Sequence, residues 1–469
     1  MKTFKSLLIL LFVIISQKSF SQCWSNVSAG TYHSVAIKTD GTIWAWGKND
    51  KGQLGDGTTI NKNIPTQIGA DSDWVDIEAS GEFNTMALKS NGTLWAWGDN
   101  THGQIGDGNY GLGVFNAIPT QVGSDNDWVK FSINTYAIKS NGTLWGWGYN
   151  IDGRLGTGNN LPHYTPFQIG TDTDWVDINT GGNQTLALKS DGTLWGWGLN
   201  KSGSLAIGEP SETFIITTPT QTGNNTSDWS KIEVGGCCSS KMIKTNGSLW
   251  AMGLGSNGNL GNGNILSVNV PTQIGNDTDW DIISTSNHSC AIKTNGTLWT
   301  WGLNFAGQLG DGTVISRNTP AQIGQDTTWL SVKTGDFHTV ALSSDNTIYS
   351  WGYNNYGQLG DGTFIDKTVI TQIGNSCPLN TSSFETLQSV QVIPNPASNL
   401  VHIRFVAKND AKINIKITNY LGQIVYSKNT KITLGENQES IDLTSLSVGV
   451  YCVSLNTDSQ HSTVKIIKN

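Results

Sequence analysis

Apolar and polar positions alternate with a period of two in short runs along most of the chain, and this predicts half-buried β-strands. Thr85-Met86-Ala87-Leu88-Lys89 and Thr93-Leu94-Trp95-Ala96-Trp97 are two such runs, separated by Asn91-Gly92. That dipeptide predicts a two-residue type I′ hairpin, whose central residues both need positive φ. Trp74-Val75-Asp76-Ile77 lies before the pair and Pro119 to Val122 after it, so the unit reads as four strands.

The unit recurs. Equivalent turns stand at Asp40-Gly41, Asn141-Gly142, Asp191-Gly192, Asn246-Gly247, Asn295-Gly296 and Asp345-Asn346. A Trp before Gly marks each copy at Trp46, Trp97, Trp147, Trp197, Trp301 and Trp351, with Met252 in the fifth. Successive spacings are 51, 50, 50, 55, 49 and 50 residues, so the chain holds seven copies. A period near fifty with β signals predicts an all-β chain built on a seven-bladed β-propeller. Trp44 and Trp46, like Trp95 and Trp97, fall on one face of a strand. One four-stranded sheet cannot bury two indoles alone, so each sheet must stack on the next. An open solenoid is the alternative, but a ring leaves fewer free edges. The Asn-Gly-Thr triplets also match a glycosylation sequon, and the turn reading accounts for them better. Gly52-Gln53-Leu54-Gly55-Asp56-Gly57 reads as tight turns, since no helix follows it to complete a phosphate cradle. The loops after this turn vary most; Gly111 to Ile118 and Pro210 to Thr218 carry apolar residues.

Beyond Cys377 the pattern changes. A Ser/Thr-rich linker at 378–386 leads to alternating runs at Val390-Gln391-Val392, Val401 to Phe405, Ile413 to Ile417, Ile441 to Leu443, Val450 to Leu455 and Val464 to Ile467. These predict a small C-terminal antiparallel β-sandwich domain at 387–469, after a repeat body at 22–377.

Composition then narrows the partners. The body from Gln22 to Glu385 holds 17 Lys plus Arg against 31 Asp plus Glu, a net of −14, whereas Leu387 onward holds 8 against 5. So acidic a body argues against nucleic acid and against anionic membrane surfaces. Residues 1–21 read as a cleaved secretory signal: Lys2 and Lys5 begin it, Leu7 to Ile15 is its apolar core, and Ser19-Phe20-Ser21 precedes the cleavage point. No later stretch is apolar for long enough to span a bilayer. Gln22 is a poor residue to precede a lipidated Cys23, so a cleaved, exported protein is expected rather than a lipoprotein. Cys23 begins the first repeat and Cys377 lies where an eighth would start; ring closure would make them neighbours, and a clasping disulfide is expected. Cys237, Cys238 and Cys290 read as packing residues and Cys452 as core.

Candidate chemistry is sparse. There is no His-Glu-x-x-His, Gly-x-Ser-x-Gly or Cys-x-x-Cys, so no catalytic residue, metal ligand or cofactor is assigned. His33, His288 and His338 share one repeat position where other copies carry Asn84, Asn134, Gln184 and Ser239. A polar residue satisfying the blade backbone explains them better than a metal. Asp71-Ser72-Asp73, Asp125-Asn126-Asp127, Asp172-Thr173-Asp174 and Asp277-Thr278-Asp279 read as turn-forming rather than calcium-binding. What remains is a binding surface on loops. Its candidate residues are the loop aromatics Tyr110, Phe115, Tyr164, Phe214, Phe305 and Tyr356. They suit an unknown protein partner or, alternatively, an extracellular glycan; a hydrolase at the ring's central opening is a third reading.

Two resemblances follow from these motifs. Gly30-Thr31-Tyr32-His33-Ser34-Val35-Ala36, Asp40-Gly41-Thr42, Trp46-Gly47, Asn49 and Gly52-Gln53-Leu54-Gly55 resemble the regulator of chromosome condensation repeat, from Trp24 to about Gly374. That resemblance implies a seven-bladed propeller and little about activity, since its members include a nucleotide-exchange factor, a photoreceptor and secreted β-lactamase inhibitors. Pro394-Asn395-Pro396, Tyr420 to Val425, Leu446 to Tyr451 and the basic end Lys465-Ile466-Ile467-Lys468 resemble the type A C-terminal sorting domain of the type IX secretion system. It implies passage across the outer membrane, contact with that secretion machinery, and removal of the domain on release or surface attachment.

Overall fold

In a computed structural model the described residues are 23–374 and 387–468, apart from 82, 133–134, 208–213, 223–225, 237, 396, 408–409, 420–423, 448 and 457–460. They form two compact units that divide between Cys377 and Pro378. In the first unit, strands Trp24–Ala29, His33–Lys38, Ile43–Gly47 and Lys62–Ile68 pair in sequence order as an antiparallel sheet. Six further four-stranded sheets repeat that order, so the unit has seven blades and no blade borrows a strand from another. The innermost strand Trp24–Ala29 lies against Trp74–Ala79 of blade two and Trp329–Thr334 of blade seven, and the ring is closed.

The cores lie between blades. Trp97 is fully buried among Val35, Ile43 and Leu54 of blade one, and Trp46 among Val340, Leu342 and Ile348 of blade seven. Each such indole contributes about 2–3 kcal/mol by leaving water. In three of the later blades the indole Nε1–H also donates to a loop carbonyl of the preceding blade: Trp147 to Gln104 O at 3.0 Å, Trp301 to Asn259 O at 2.9 Å and Trp351 to Gln308 O at 2.9 Å. At the junction of blade seven with blade one, Trp46 Nε1 donates to Gln358 O at 2.9 Å in the same way. Met252 takes the indole's place in blade five, against Leu186, Leu188 and Leu205.

The histidines are also clamps between blades, which revises their expected role within a blade. His33 Nε2 lies 3.0 Å from Thr85 Oγ1, His288 Nε2 2.7 Å from Thr339 Oγ1, and His338 Nε2 2.8 Å from Ser34 Oγ. Each hydroxyl spends its own proton on a loop carbonyl, of Gln53, Gln308 and Gln358 respectively. The imidazoles must therefore donate, as neutral Nε2–H tautomers. Burial pushes their pKa values down, to about 4 for His33 and about 3 for His288 and His338.

Two sequence expectations are corrected on the opposite side of the blades. The Asn-Gly hairpin is not type I′: Gly92 has φ 79° but Asn91 is not left-handed, and the Gly92 N–H donates to Lys89 O at 2.9 Å. The loop is thus a turn followed by one left-handed residue, the bulged form of a three-residue connection. Asn91 Oδ1 accepts the Thr93 N–H at 3.0 Å, and in blade seven Asn346 takes the left-handed place at φ 60°. The Asp-x-Asp segments hold a lysine. Lys89 Nζ lies 2.6 Å from Asp71 and 3.0 Å from Asp73, between the rings of Trp74 and Trp95 at 4.6 and 5.1 Å. Lys139, Lys189 and Lys293 are held alike. Burial lowers the pKa of Lys89, but hydrogen bonds to Asp71 and Asp73 more than offset it, and the net direction is up.

The second unit has strands Leu387–Ile393, Leu400–Ala407, Ala411–Asn419, Ile424–Ile432, Gly435–Asp442, Gly449–Asn456 and His461–Lys468. They make a three-stranded and a four-stranded antiparallel sheet around Val401, Ile403, Phe405, Ile415, Ile417, Val453 and Leu455. Cys452 is not core: its buried neighbours Tyr451 and Val453 point inward, and the alternation leaves it half-exposed. Cys290 is buried between blades as a thiol. Cys23 is disulfide-bonded, but Cys377 lies outside the described residues, as do Cys237 and the leader, so the Cys23–Cys377 pairing stays a proposal.

Candidate functional site

In a four-stranded meander the connections between strands one and two and between strands three and four emerge on one face. Backbone bonds tie these two loops together in six blades, among them Lys48 N–H to Tyr32 O at 2.9 Å, Asp99 to Phe83 at 3.1 Å and Tyr353 to Phe337 at 2.9 Å. Residues distant in sequence therefore meet there. Tyr32, Phe83 and Phe337 occupy the same repeat position in blades one, two and seven, one residue before the clamp position of His33, Asn84 and His338.

Around the closing junction these aromatics make an arc. Tyr32 lies 5.1 Å from Tyr356, 6.2 Å from Tyr353 and 6.0 Å from Phe337 between ring centroids. Phe305 of blade six extends it, 5.4 Å from Phe337. Its rings are tilted or edge-on, the arrangement aromatic quadrupoles favour. Phe305 is 54% exposed, and the others are half-buried. Lys48 Nζ sits among them, 4.6 Å from Phe83, 5.2 Å from Tyr356 and 5.4 Å from Tyr32. Asp336 accepts from Thr31 Oγ1 at 2.8 Å and from Ser286 Oγ. Burial raises the pKa of the Tyr32 phenol, and Asp336 adds to the effect. Further out on this face, Ile60, Leu161, Leu266, Ile315 and Ile365 stand in five blades and are 65–70% exposed.

Of the six aromatics expected from the sequence, Phe305 and Tyr356 lie in this arc. Tyr110 and Tyr164 stack on each other elsewhere, at 3.6 Å and 7°. Phe115 begins the outermost strand of blade two, and Phe214 that of blade four. Sequence reading missed Tyr32, Phe83, Phe337, Tyr353 and Lys48. The available signal was aromatic residues next to the His/Asn position in three copies that become neighbours once the ring closes.

At the central opening, the third reading's candidate, amide and charged side chains of the innermost strands bond to each other across blades. Asn26 donates to Asp76 at 2.8 Å, Lys130 pairs with Asp177 at 3.0 Å, and Asn179 donates to Glu233 at 3.2 Å. Burial pushes the Glu233 carboxyl up to about 7, against the pull of Lys333. These bonds staple innermost strands to each other.

A family model described as the RCC1-like domain matches residues 132–412, more than half of the chain. The chain belongs to the RCC1-like domain family. Two models of the Regulator of chromosome condensation (RCC1) repeat match residues 40–88 and 91–133, and 24–53 and 74–104. The Secretion system C-terminal sorting domain model matches residues 391–469. The sorting domain directs this RCC1-like protein through the type IX secretion system to the cell surface or extracellular space. No helix among the described residues is long and apolar enough to cross a membrane.

Protein RCC2 homolog of Danio rerio is 45% identical over 78 residues, 16% of this chain and 16% of that protein. Protein RCC2 of Homo sapiens is 44% identical over 78 residues, 16% and 15%. The match thus spans less than a fifth of these curated relatives. Among solved structures, yeast RCC1 (Prp20) bound to Kap60 is similar with a TM-score of 0.63 at 18% identity, over 84% of this chain and 92% of that one. Human WBSCR16 is similar with a TM-score of 0.61 at 21% identity, over 69% and 87%. At these identities the likeness shows the fold alone. RCC1-like propellers are usually not catalytic, and no matching family model describes an enzyme.

Proposed function

We propose that this RCC1-like propeller is a secreted or surface-attached, non-enzymatic module that binds a protein through its aromatic loop face. The observation that carries the reading is the arc of Tyr32, Phe305, Phe337, Tyr353 and Tyr356, gathered from blades six, seven and one. Clusters of tyrosine and other aromatic rings have the composition of protein hot spots. The exposed aliphatic residues of the outer loops add further apolar surface on the same face. A glycan has one observation in its favour: Asn355 Nδ2 donates to the Tyr353 hydroxyl at 2.8 Å, an amide beside an aromatic ring. The tilt of the rings favours protein, since a sugar stacks on a ring lying flat and open.

The test is capture by the immobilised full chain from the extracellular fraction of the producing organism. Saturable retention of one protein, lost in Phe305→Ala/Phe337→Ala, is the expected result. Retention of polysaccharide without protein would overturn the reading.

A further inference from the structure

We propose that the aromatic cage around Lys48 is a binding site for an ammonium group, a lysine side chain of the docked protein, and that Lys48 is its resident stand-in. The inference rests on the loop face being the protein-binding surface and names the chemistry recognised there. Three rings from three blades converge on Lys48 Nζ, those of Phe83 at 4.6 Å, Tyr356 at 5.2 Å and Tyr32 at 5.4 Å. Asp50 Oδ2 completes the cage at 3.2 Å. Ring faces carry negative quadrupole density, so several rings and one carboxylate around a single point select a cation. The occupant seen in the cage is itself an ammonium, which shows what the walls accommodate.

The repeat does not demand a lysine at this place. Equivalent positions hold Asp99, Tyr149, Leu199, Leu254, Leu303 and Tyr353. This sets Lys48 apart from the lysines held by Asp-x-Asp segments, which recur from blade to blade. Nor is it sealed in: the Lys48 side chain is 16% exposed and Asp50 52% exposed, so rotation of one unbranched side chain vacates the cage toward solvent. The body's net charge of −14 attracts a basic partner from a distance.

Because Lys48 fills the cage, a free ligand meets only the vacant fraction, and its apparent affinity falls by that fraction. Titration of the full chain with tetramethylammonium chloride, and separately with a lysine-containing tripeptide, followed by NMR shifts, tests the site. Lys48→Ala is expected to bind both probes at least about tenfold more tightly than wild type, as a cage vacant no more than a tenth of the time requires. Adding Tyr356→Ala to Lys48→Ala abolishes binding, and adding Asp50→Asn, a change at an exposed residue, weakens it severalfold. Equal binding in wild type and Lys48→Ala, or binding that survives Tyr356→Ala, would refute the proposal. Partner capture that depends on Phe305 and Phe337, without ammonium binding in Lys48→Ala, sinks this inference alone. Loss of that capture sinks the broader reading first.

Discussion

Lys241 occupies a position where the other blades carry Val35, Met86, Tyr136, Leu186, Cys290 or Val340, and it is fully buried between blades five and six. Its ammonium reaches Ser239 Oγ, Thr285 Oγ1 and Asn259 Oδ1 at 3.3–3.4 Å. All three are uncharged. Burial alone pushes its pKa down from 10.5 to about 7. A base with a depressed folded pKa binds fewer protons in the native state than when unfolded, so stability rises with pH between the two values. At 1.36 kcal/mol per unit, the shift corresponds to about 4 kcal/mol of destabilisation at pH 7, where the buried amine is half protonated, shrinking to about 1 kcal/mol at pH 9.5. Lys241→Met, which copies blade two, removes that cost. It orphans no partner: Ser239 Oγ still accepts from Asn259 Nδ2 at 2.9 Å, Asn259 Oδ1 still accepts from Ser289 at 2.9 Å, and Thr285 keeps Ser289 at 2.8 Å. Urea unfolding of wild type and variant at pH 7 and pH 9.5 is the assay. The variant is expected to be the more stable by several kcal/mol at pH 7 and by much less at pH 9.5. A difference that does not change with pH, or a less stable variant, would refute the reasoning.

The histidine clamps give a second pH dependence, in the acid range. For His33, stability is intact above pH 6.5 and is lost as pH falls toward about 4, with about 2 kcal/mol gone by pH 5. His33→Asn, the residue type that blade two uses, flattens this dependence, and unfolding midpoints at pH 7 and pH 5 measure it. For the proposed clasp, non-reducing peptide maps are expected to join the Cys23 and Cys377 peptides; a map in which Cys23 pairs elsewhere rejects that pairing.

The blades were legible because one indole, one glycine turn and one alternation recur at nearly constant spacing, and burial between stacked sheets demands all three. What stayed hidden depends on partners far along the chain. The Asp71–Lys89 bond spans 18 positions, and nothing in Asp71-Ser72-Asp73 alone distinguishes a lysine clasp from a turn. The hairpin was misread because Asn-Gly suits two turn geometries, and the residues between Lys89 and Thr93 choose the bulged one. Phe305 and Tyr356 were found by their apolar character in loops. Tyr32 and Phe337 were missed because they sit inside the repeat motif, where the neighbouring histidine drew the structural explanation. Cys452 looked like core because its strand is apolar, but its parity faces the other side.

The aromatic arc straddles the place where the last blade meets the first. Ser34 and Gln358, which bond across that place, are 324 positions apart in sequence. Tyr356 therefore reaches Tyr32, Phe83 and Lys48 only after all seven blades have been made and the ends have met. No fragment that lacks a blade, and no ring left open, displays the whole arc or the cage. The surface proposed to recognise a partner is thus a certificate of completed folding, absent from every copy of the chain whose ring is missing or unfinished.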